Sequence, residues 1–242
     1  MRPLKMLLPV SVALLLTFGC KKKSTDSTTP YACATCVRTP QALAANDNSS
    51  KGIYKGVVIG STGTIMFDLA NNGTTLTALM VIDGVTVNLT SSVTWNAGQS
   101  YIAPFTGTIN GQAVSITFSV GATGGTPTVV TSSIPGHPNA AFTVVKELSS
   151  SLVEGFEGTY STTRPETGTF NVILSHPLNK WGAVARKTGD STINHSSGYF
   201  QGNNIVDSSN NAVLGTISGD NISGSFVDNS NNTVTITGHR TL

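Results

Sequence analysis

Charged side chains are scarce in this chain. Asp, Glu, Lys and Arg make up 11% of its 242 residues, against about 25% in an average globular protein. The formal net charge is +2, and two basic residues, Arg2 and Lys5, stand in the first five positions. Without these two, acidic and basic residues balance. Such a chain lacks the basic surface that displaces counterions from nucleic acid, so we expect no nucleic-acid partner.

Catalytic and cofactor motifs are also missing from the sequence. It has no phosphate-binding P-loop and no dinucleotide fingerprint, and no carboxylates are spaced closely enough to suggest glycoside hydrolysis. Gly189, Asp190 and Ser191 are similar to the nucleophile block of some serine esterases, but a hairpin turn is the simpler interpretation. Because catalysis usually depends on titratable groups with tuned pKa values, we predict no catalytic residue, no cofactor and no enzyme.

Metal-ligating patterns are weak. Residues 207–211 and 228–232 are rich in Asp and Asn and offer oxygen ligands for calcium, but they lack the Gly and bidentate Glu of an EF-hand loop. We therefore predict polar turns at both places and no metal site. The histidines do not share a ligand spacing and stand far apart, at His137, His176, His195 and His239.

The N-terminus has the pattern of a secretory signal. Two basic residues precede an apolar run over 6–18, which is shorter than the roughly 20 residues of a membrane-spanning helix. The run ends at Phe18-Gly19-Cys20, a junction that resembles the lipobox of bacterial lipoproteins processed by signal peptidase II. The resemblance implies that residues 1–19 are removed and that Cys20 is acylated. The alternative is an ordinary signal peptide with an incidental cysteine.

The same resemblance implies a partner and a location. Acyl chains on Cys20 would anchor the chain in a membrane, because each buried CH₂ contributes about 0.8 kcal/mol. The basic triplet at 21–23 suits anionic headgroups. In this family an Asp after the acylated Cys favours inner-membrane retention, and here the residue is Lys21. We therefore expect an outer-membrane protein, on the periplasmic side or at the cell surface.

Residues 20–50 have the composition of a disordered tether. They are rich in Ser, Thr, Pro, Asn and Ala and have no period of 2 or 3.6, so they cannot bury enough apolar surface to offset their ordering entropy. The segment contains a Cys-x-x-Cys pair, Cys33 and Cys36. We predict a small disulfide loop in an oxidising compartment; a redox centre or a metal site are the alternatives.

From residue 51 onward the sequence alternates apolar runs with Gly, Asn and Asp. Turns such as Asp83-Gly84 supply the positive φ that hairpins require. No segment is long enough for a crossover helix. The pattern predicts an all-β antiparallel fold, an up-and-down barrel or a sandwich. The first such runs are 52–59, 64–69, 75–82 and 85–90.

The chain also repeats itself in order. Residues 107–118 match 215–226 at six of twelve positions. Two shorter matches precede them, 54–56 with 156–158 and 63–69 with 168–174. We therefore predict two related halves, 51–148 and 155–242, joined by a connector over 149–154. The rhythm of the last thirty residues is similar to the closing hairpins of lipocalin-like and related up-and-down barrels in bacterial lipoproteins, which implies a lipocalin-like domain.

Aromatic residues give the clearest indication of a binding site. They are concentrated in the middle of each half, and buried aromatics usually fill a barrel core. A wider barrel can instead hold a small apolar or sugar ligand at its mouth. We hypothesise that Trp95 and Trp181 occupy equivalent places and border that site. The candidate ligand-binding residues are Trp95, Trp181, Tyr101 and Tyr199.

Three functions follow from these observations. The first is a lipid-anchored envelope protein that binds a small ligand, a glycan or a protein partner. The second is a structural or assembly lipoprotein with no ligand. The third is a hydrolase, which the low charge content disfavours. A cavity lined by aromatic side chains would separate the first from the second.

Overall fold

The computed structural model describes residues 30–59 and 63–242, and within them the fold is antiparallel β. The expected all-β class is confirmed, with one short 3-10 helix at Ala44–Asn46 in this part of the chain. The predicted signal segment, Cys20 and the rest of 1–29 lie outside the described residues. None of the helical segments in 30–59 and 63–242 has the length and apolarity needed to span a bilayer.

The first eight strands form one sheet. Its spatial order is β7-β6-β5-β4-β3-β2-β1-β8, so the eighth strand returns to pair with the first. The strands are β1 Gly52–Ile59, β2 Gly63–Leu69, β3 Leu76–Ile82, β4 Val85–Thr90, β5 Tyr101–Ile109, β6 Gln112–Val120, β7 Thr128–Ser133 and β8 Ala141–Lys146.

The last eight strands close into a barrel of the same up-and-down order, because the final strand pairs along its length with the first. A barrel of eight strands leaves an interior that side chains can fill or that can hold one small ligand. The strands are β9 Glu154–Thr162, β10 Thr167–Ser175, β11 Lys180–Lys187, β12 Ile193–Gln201, β13 Asn204–Asp207, β14 Val213–Ser218, β15 Asn221–Val227 and β16 Thr233–Arg240.

Two-residue turns hold the hairpins in register. Asp83 and Gly84 have φ of 49° and 75°, and Asn110 and Gly111 have φ of 49° and 78°. Both central residues of a type I′ turn need positive φ, which Asn, Asp and Gly tolerate. The strands that follow alternate buried and exposed residues, as a sheet with one face on the core requires.

Each sheet has its own core. The core of the first is filled by aromatic rings, with Phe67 stacked on Phe118 at 4.3 Å between centroids and packed edge-on against Phe105 at 5.1 Å. The core of the barrel includes Phe156, Phe170 and smaller aliphatic residues. The two halves therefore do not share one interior.

The sequence repeat is only partly a repeat of position. The first two matches fall on β1 with β9 and on β2 with β10, the first and second strands of each sheet. The longest match, 107–118 with 215–226, falls on β5–β6 and on β14–β15. Those are the fifth and sixth strands of one sheet and the sixth and seventh of the other. This similarity therefore follows the requirements of a tight hairpin rather than equivalent places.

The two sheets meet along β1. Its even-numbered residues face the first core, whereas Val57 and Ile59 pack against Val184 on the outer face of β11. All eight residues of β1 are buried. The strand that begins the first sheet is thus enclosed on both faces, and the outer face of the barrel loses its exposure to water where the two pack.

A fully buried ion pair lies at this contact. Lys55, on the outer face of β1, donates from Nζ to Glu147 Oε2 at 2.6 Å, and both side chains are 0% exposed. Glu147 also accepts the backbone N–H groups of Gln41 at 2.6 Å and Val153 at 3.1 Å. Burial lowers the pKa of Lys55, and the hydrogen bond to Glu147 opposes that shift.

The expectation of a disordered tether is wrong for residues 31–50, which are bonded to both sheets. We call this segment the strap. The Tyr31 hydroxyl donates to the carbonyl of Arg240 in the barrel at 2.9 Å. The Asn46 amide donates to the carbonyl of Asn71 in the first sheet at 2.8 Å. Hydrogen bonds to both sheets, rather than a buried apolar face, order the strap. Its sequence therefore shows no hydrophobic periodicity.

The strap is held most firmly at the β14–β15 turn. Arg38 donates two hydrogen bonds of 2.6 Å to the two oxygens of Asp220, and the Cys33 backbone N–H donates to the same carboxylate at 2.7 Å. Arg240 donates to the carbonyl of Val37 at 2.7 Å. The Arg38 guanidinium is the main cause that lowers the pKa of Asp220 to about 2.

We predict that Lys55→Met lowers the free energy of unfolding by about 3–5 kcal/mol, because it leaves the Glu147 carboxylate buried without its cation. Urea denaturation of the purified protein measures the change. The double variant Lys55→Met with Glu147→Gln removes both charges and keeps an amide oxygen for one of the two N–H donors, so it should recover part of the loss. A single-variant loss below about 1 kcal/mol would contradict a sealed contact between the sheets.

The strap should loosen in acid. Asp220 has a lower pKa folded, about 2, than its ordinary 3.8, so its stabilising contribution is complete above about pH 4 and is lost as pH falls towards 2. Hydrogen exchange at 33–41, corrected for intrinsic rates, should rise over this window. Asp220→Asn should remove most of the pH dependence, and Asp190→Asn, in a distant turn, should preserve it. An unchanged profile in Asp220→Asn would contradict this assignment.

Candidate functional site

The barrel encloses a cavity of about 480 Å³. It opens at the end formed by the β9–β10 and β15–β16 turns, and its volume lies within the range typical of small-molecule sites. Most of the wall is apolar. The lining residues are Tyr160, Thr162, Glu166, Phe170, Val172, Trp181, Ala183, Ala185, Asn194, Ser196, Ile205, Leu214, Phe226, Asp228, Asn229, Ser230, Val234 and Ile236.

Small residues on two neighbouring strands create this space. Ala183 and Ala185 of β11 line the cavity, and the ladder places Ser196 and Asn194 of β12 directly opposite them. A layer built from Ala, Ser and Asn cannot reach across a barrel of this width, so its centre stays open.

The first sheet uses large residues at the corresponding places. Met80 of its third strand faces the core opposite Val87 of its fourth, and Ala78 faces it opposite Leu89. Met80 and Ile82 are 0% exposed. Together with the phenylalanine rings described above, these side chains fill the interior of the first sheet, which has eight strands, as the barrel does. Side-chain volume on the third and fourth strands thus distinguishes the two halves.

Trp181 closes the inner end of the cavity. Its side chain is 3% exposed, and the indole N–H is shared between the carbonyls of Tyr199 at 3.1 Å and Val206 at 3.2 Å. A buried tryptophan whose N–H is satisfied stays in one orientation. Its ring therefore presents a fixed apolar surface to whatever enters from the mouth.

The polar groups of the cavity lie on one wall and at the rim. Ser196 donates to Asp207 at 2.6 Å. Burial raises the pKa of Asp207, but hydrogen bonds from Ser196, Ser209 and the following turn outweigh it, so the pKa is lowered overall. At the mouth, Glu166 pairs with Lys187 at 2.9 Å.

Asp228 anchors the β15–β16 turn at the rim. Its carboxylate accepts the backbone N–H groups of Ser230 and Asn232, each at 2.8 Å, and the amide of Asn232. Hydrogen bonds from Asn232 lower the pKa of Asp228. The segment that offered calcium ligands therefore uses its aspartate to fold its own turn.

The four predicted ligand-binding aromatics do not come together. Trp181 borders the cavity, but Trp95 lies in the loop between β4 and β5, where its N–H donates to Ser50 at 2.7 Å. The expected equivalence of the two tryptophans is wrong, because Trp181 belongs to the third strand of its sheet. Tyr101 is buried in the first core, and Tyr199 bonds to Asn211 away from the cavity wall.

The remaining candidates have local structural roles. Cys33 and Cys36 form a disulfide with 5.4 Å between Cα atoms. Asp190 accepts the backbone N–H of Thr192 at 2.8 Å, so the block at 189–191 is the β11–β12 turn. Among residues 30–59 and 63–242, no group of three or more His, Cys, Asp or Glu side chains could hold a metal ion.

Three histidines instead lie near single carboxylates. His137 is 3.2 Å from Asp83. The other two contacts are looser, His176 with Glu154 at 3.8 Å and His239 with Glu157 at 3.6 Å. His195 is exposed on β12.

Most of the cavity is formed by residues that no sequence motif marks, including Phe170 and Phe226. One signal was available: β11 has Trp181, Ala183 and Ala185 at alternate positions, a strand face with one large residue and two small ones. Comparisons with family models, with curated proteins and with solved structures found no match.

Proposed function

We propose that this chain is a lipid-anchored cell-envelope protein whose barrel binds a small, largely apolar ligand. The cavity of about 480 Å³ with Trp181 at its inner end is the observation that carries the proposal. The anchor through Cys20 and the outer-membrane location stay predictions from the lipobox resemblance. An anchor of this kind would place the barrel beside a membrane, where apolar molecules are abundant.

The chemistry of the lining favours an apolar body. Phe170, Trp181 and Phe226 supply aromatic surface, and aliphatic side chains complete the wall. Burial of apolar surface contributes about 25 cal/mol per Å², so a ligand that buries about 200 Å² gains about 5 kcal/mol before the costs of association. Because micromolar affinity requires about 8 kcal/mol, a ligand must bury more than about 300 Å² of apolar surface to reach it.

The cavity of the barrel is preformed, which reduces the free-energy cost of binding. Every strand of the barrel is paired on both sides in a closed ladder. The wall around β10 is packed further against β1 of the other sheet. A site that needs no ordering of its backbone keeps more of the interaction energy as affinity.

A neutral apolar fluorophore tests the proposal. We expect N-phenyl-1-naphthylamine to bind the purified protein at one saturable site, with increased emission and energy transfer from tryptophan. Ala183→Phe places a ring in the cavity and should weaken binding at least about tenfold, because the probe would lose its contacts with the inner wall.

The matched control is Ala113→Phe, at an exposed position on β6 of the first sheet. It adds the same ring outside the barrel and should bind the probe as the parent protein does. Circular dichroism and thermal melting check that both variants fold. Equal affinity in parent and Ala183→Phe, or no saturable binding in the parent, would remove the ligand-binding function and favour a structural lipoprotein.

A further inference from the structure

The mouth of the barrel carries an excess of negative charge. It is formed by the β9–β10, β11–β12, β13–β14 and β15–β16 turns and the strand ends beside them. Four of its charged side chains are carboxylates and two are cations. They are Arg164, Glu166, Lys187, Asp190, Asp207 and Asp228.

The charges closest to the ligand space are both acidic. Among the described residues that line the cavity, Glu166 and Asp228 are the charged ones. Lys187 pairs with Glu166 at 2.9 Å and is not part of the lining. Arg186 donates to the carbonyl of Asn139 in the loop between β7 and β8, on the outside of the barrel.

The rim carboxylates are held in place. Three hydrogen-bonding groups of its own turn, the N–H groups of Ser230 and Asn232 and the amide of Asn232, fix Asp228. An ion pair restrains Glu166. The inner end, by contrast, offers Trp181 and small apolar residues. The site is thus polarised along its axis, apolar inside and anionic at the opening.

We propose that the barrel selects amphipathic ligands by their head group, taking a cationic head at the mouth and disfavouring an anionic one. This inference rests on the proposed function and specifies its ligand class. With the apolar tail inside the barrel, the head lies beside Glu166 and Asp228, where an ammonium gains attraction. A carboxylate head meets the like charge of Asp228 and that of Glu166, which the ion pair with Lys187 only partly offsets.

Three probes that share a tail and differ only in their head test this selection. Decylammonium, decanol and decanoate compete with N-phenyl-1-naphthylamine at neutral pH and low ionic strength, each below its micelle or solubility limit. We expect decylammonium to bind tightest and decanoate weakest, with about a tenfold difference between them. Salt of about 0.5 M should narrow the difference, because charges near water are screened.

The variant Glu166→Gln with Asp228→Asn removes both rim charges and leaves the tail site intact. This double variant should bind the three probes with nearly equal affinity. Both substitutions keep a side-chain oxygen that accepts hydrogen bonds. Asp83→Asn is the matched control, because it removes one carboxylate from a turn of the first sheet. That variant should retain the preference of the parent protein.

The outcomes separate this inference from the proposed function. If decanol displaces the fluorophore but the three heads bind alike, or decanoate binds tightest, the selection is wrong and the barrel still binds apolar ligands. If the preference survives in the double rim variant, the assignment to Glu166 and Asp228 is wrong. If no probe binds saturably, the proposed function fails and the selection with it.

Discussion

The buried ion pair between Lys55 and Glu147 determines how the parts of this molecule meet. Lys55 lies on β1, and Glu147 follows β8 and also accepts N–H groups from the strap and from the connector. A charge pair with no exposure is stable only when its geometry and all its hydrogen bonds are complete. The strap, the first sheet and the connector must therefore be in place together.

The position of the ion pair also affects the wall of the barrel that encloses the cavity. The pair lies where β1 crosses the outer face of the barrel, so the outer face of β10 is packed against the first sheet. This outer packing restrains the backbone of the wall, while Phe170 and Val172 on its inner face border the open cavity. The first sheet, which is filled by aromatic rings, thus acts as a support for the second, which stays open.

The two sheets have the same number of strands, but a few side chains leave one interior filled and the other open. In the first, Met80 and Ile82 project into the core; in the barrel, Ala183 and Ala185 stand on the corresponding strand. The change leaves hydrogen-bond ladders and turns unaffected, since inward residues alternate with outward ones. An open interior is therefore compatible with the same backbone plan.

The strand content of the fold could be predicted from the sequence, because period-2 alternation and turn residues such as Asp83-Gly84 act locally. The strap could not. Its main anchor joins Arg38 to Asp220, 182 positions away in the chain, and neither residue belongs to a periodic segment. Lys55 gave only a weak signal, a single cation within an apolar run.

The cavity was beyond sequence reasoning for a related reason. An empty interior depends on which residues of adjacent strands share a layer, and that is fixed by register. Trp181 was identified from its residue type, whereas Ala183 and Ser196 have no chemistry of their own to attract attention. They matter because the ladder places them opposite each other.

The two indole N–H resonances of the protein give the most direct test. The chain has two tryptophans, one at the inner end of the cavity and one in a loop of the other sheet. Titration with decanol should shift the Trp181 signal saturably and leave the Trp95 signal in place. If both signals stay fixed, or if both move together without saturation, the barrel does not bind a ligand in the way proposed.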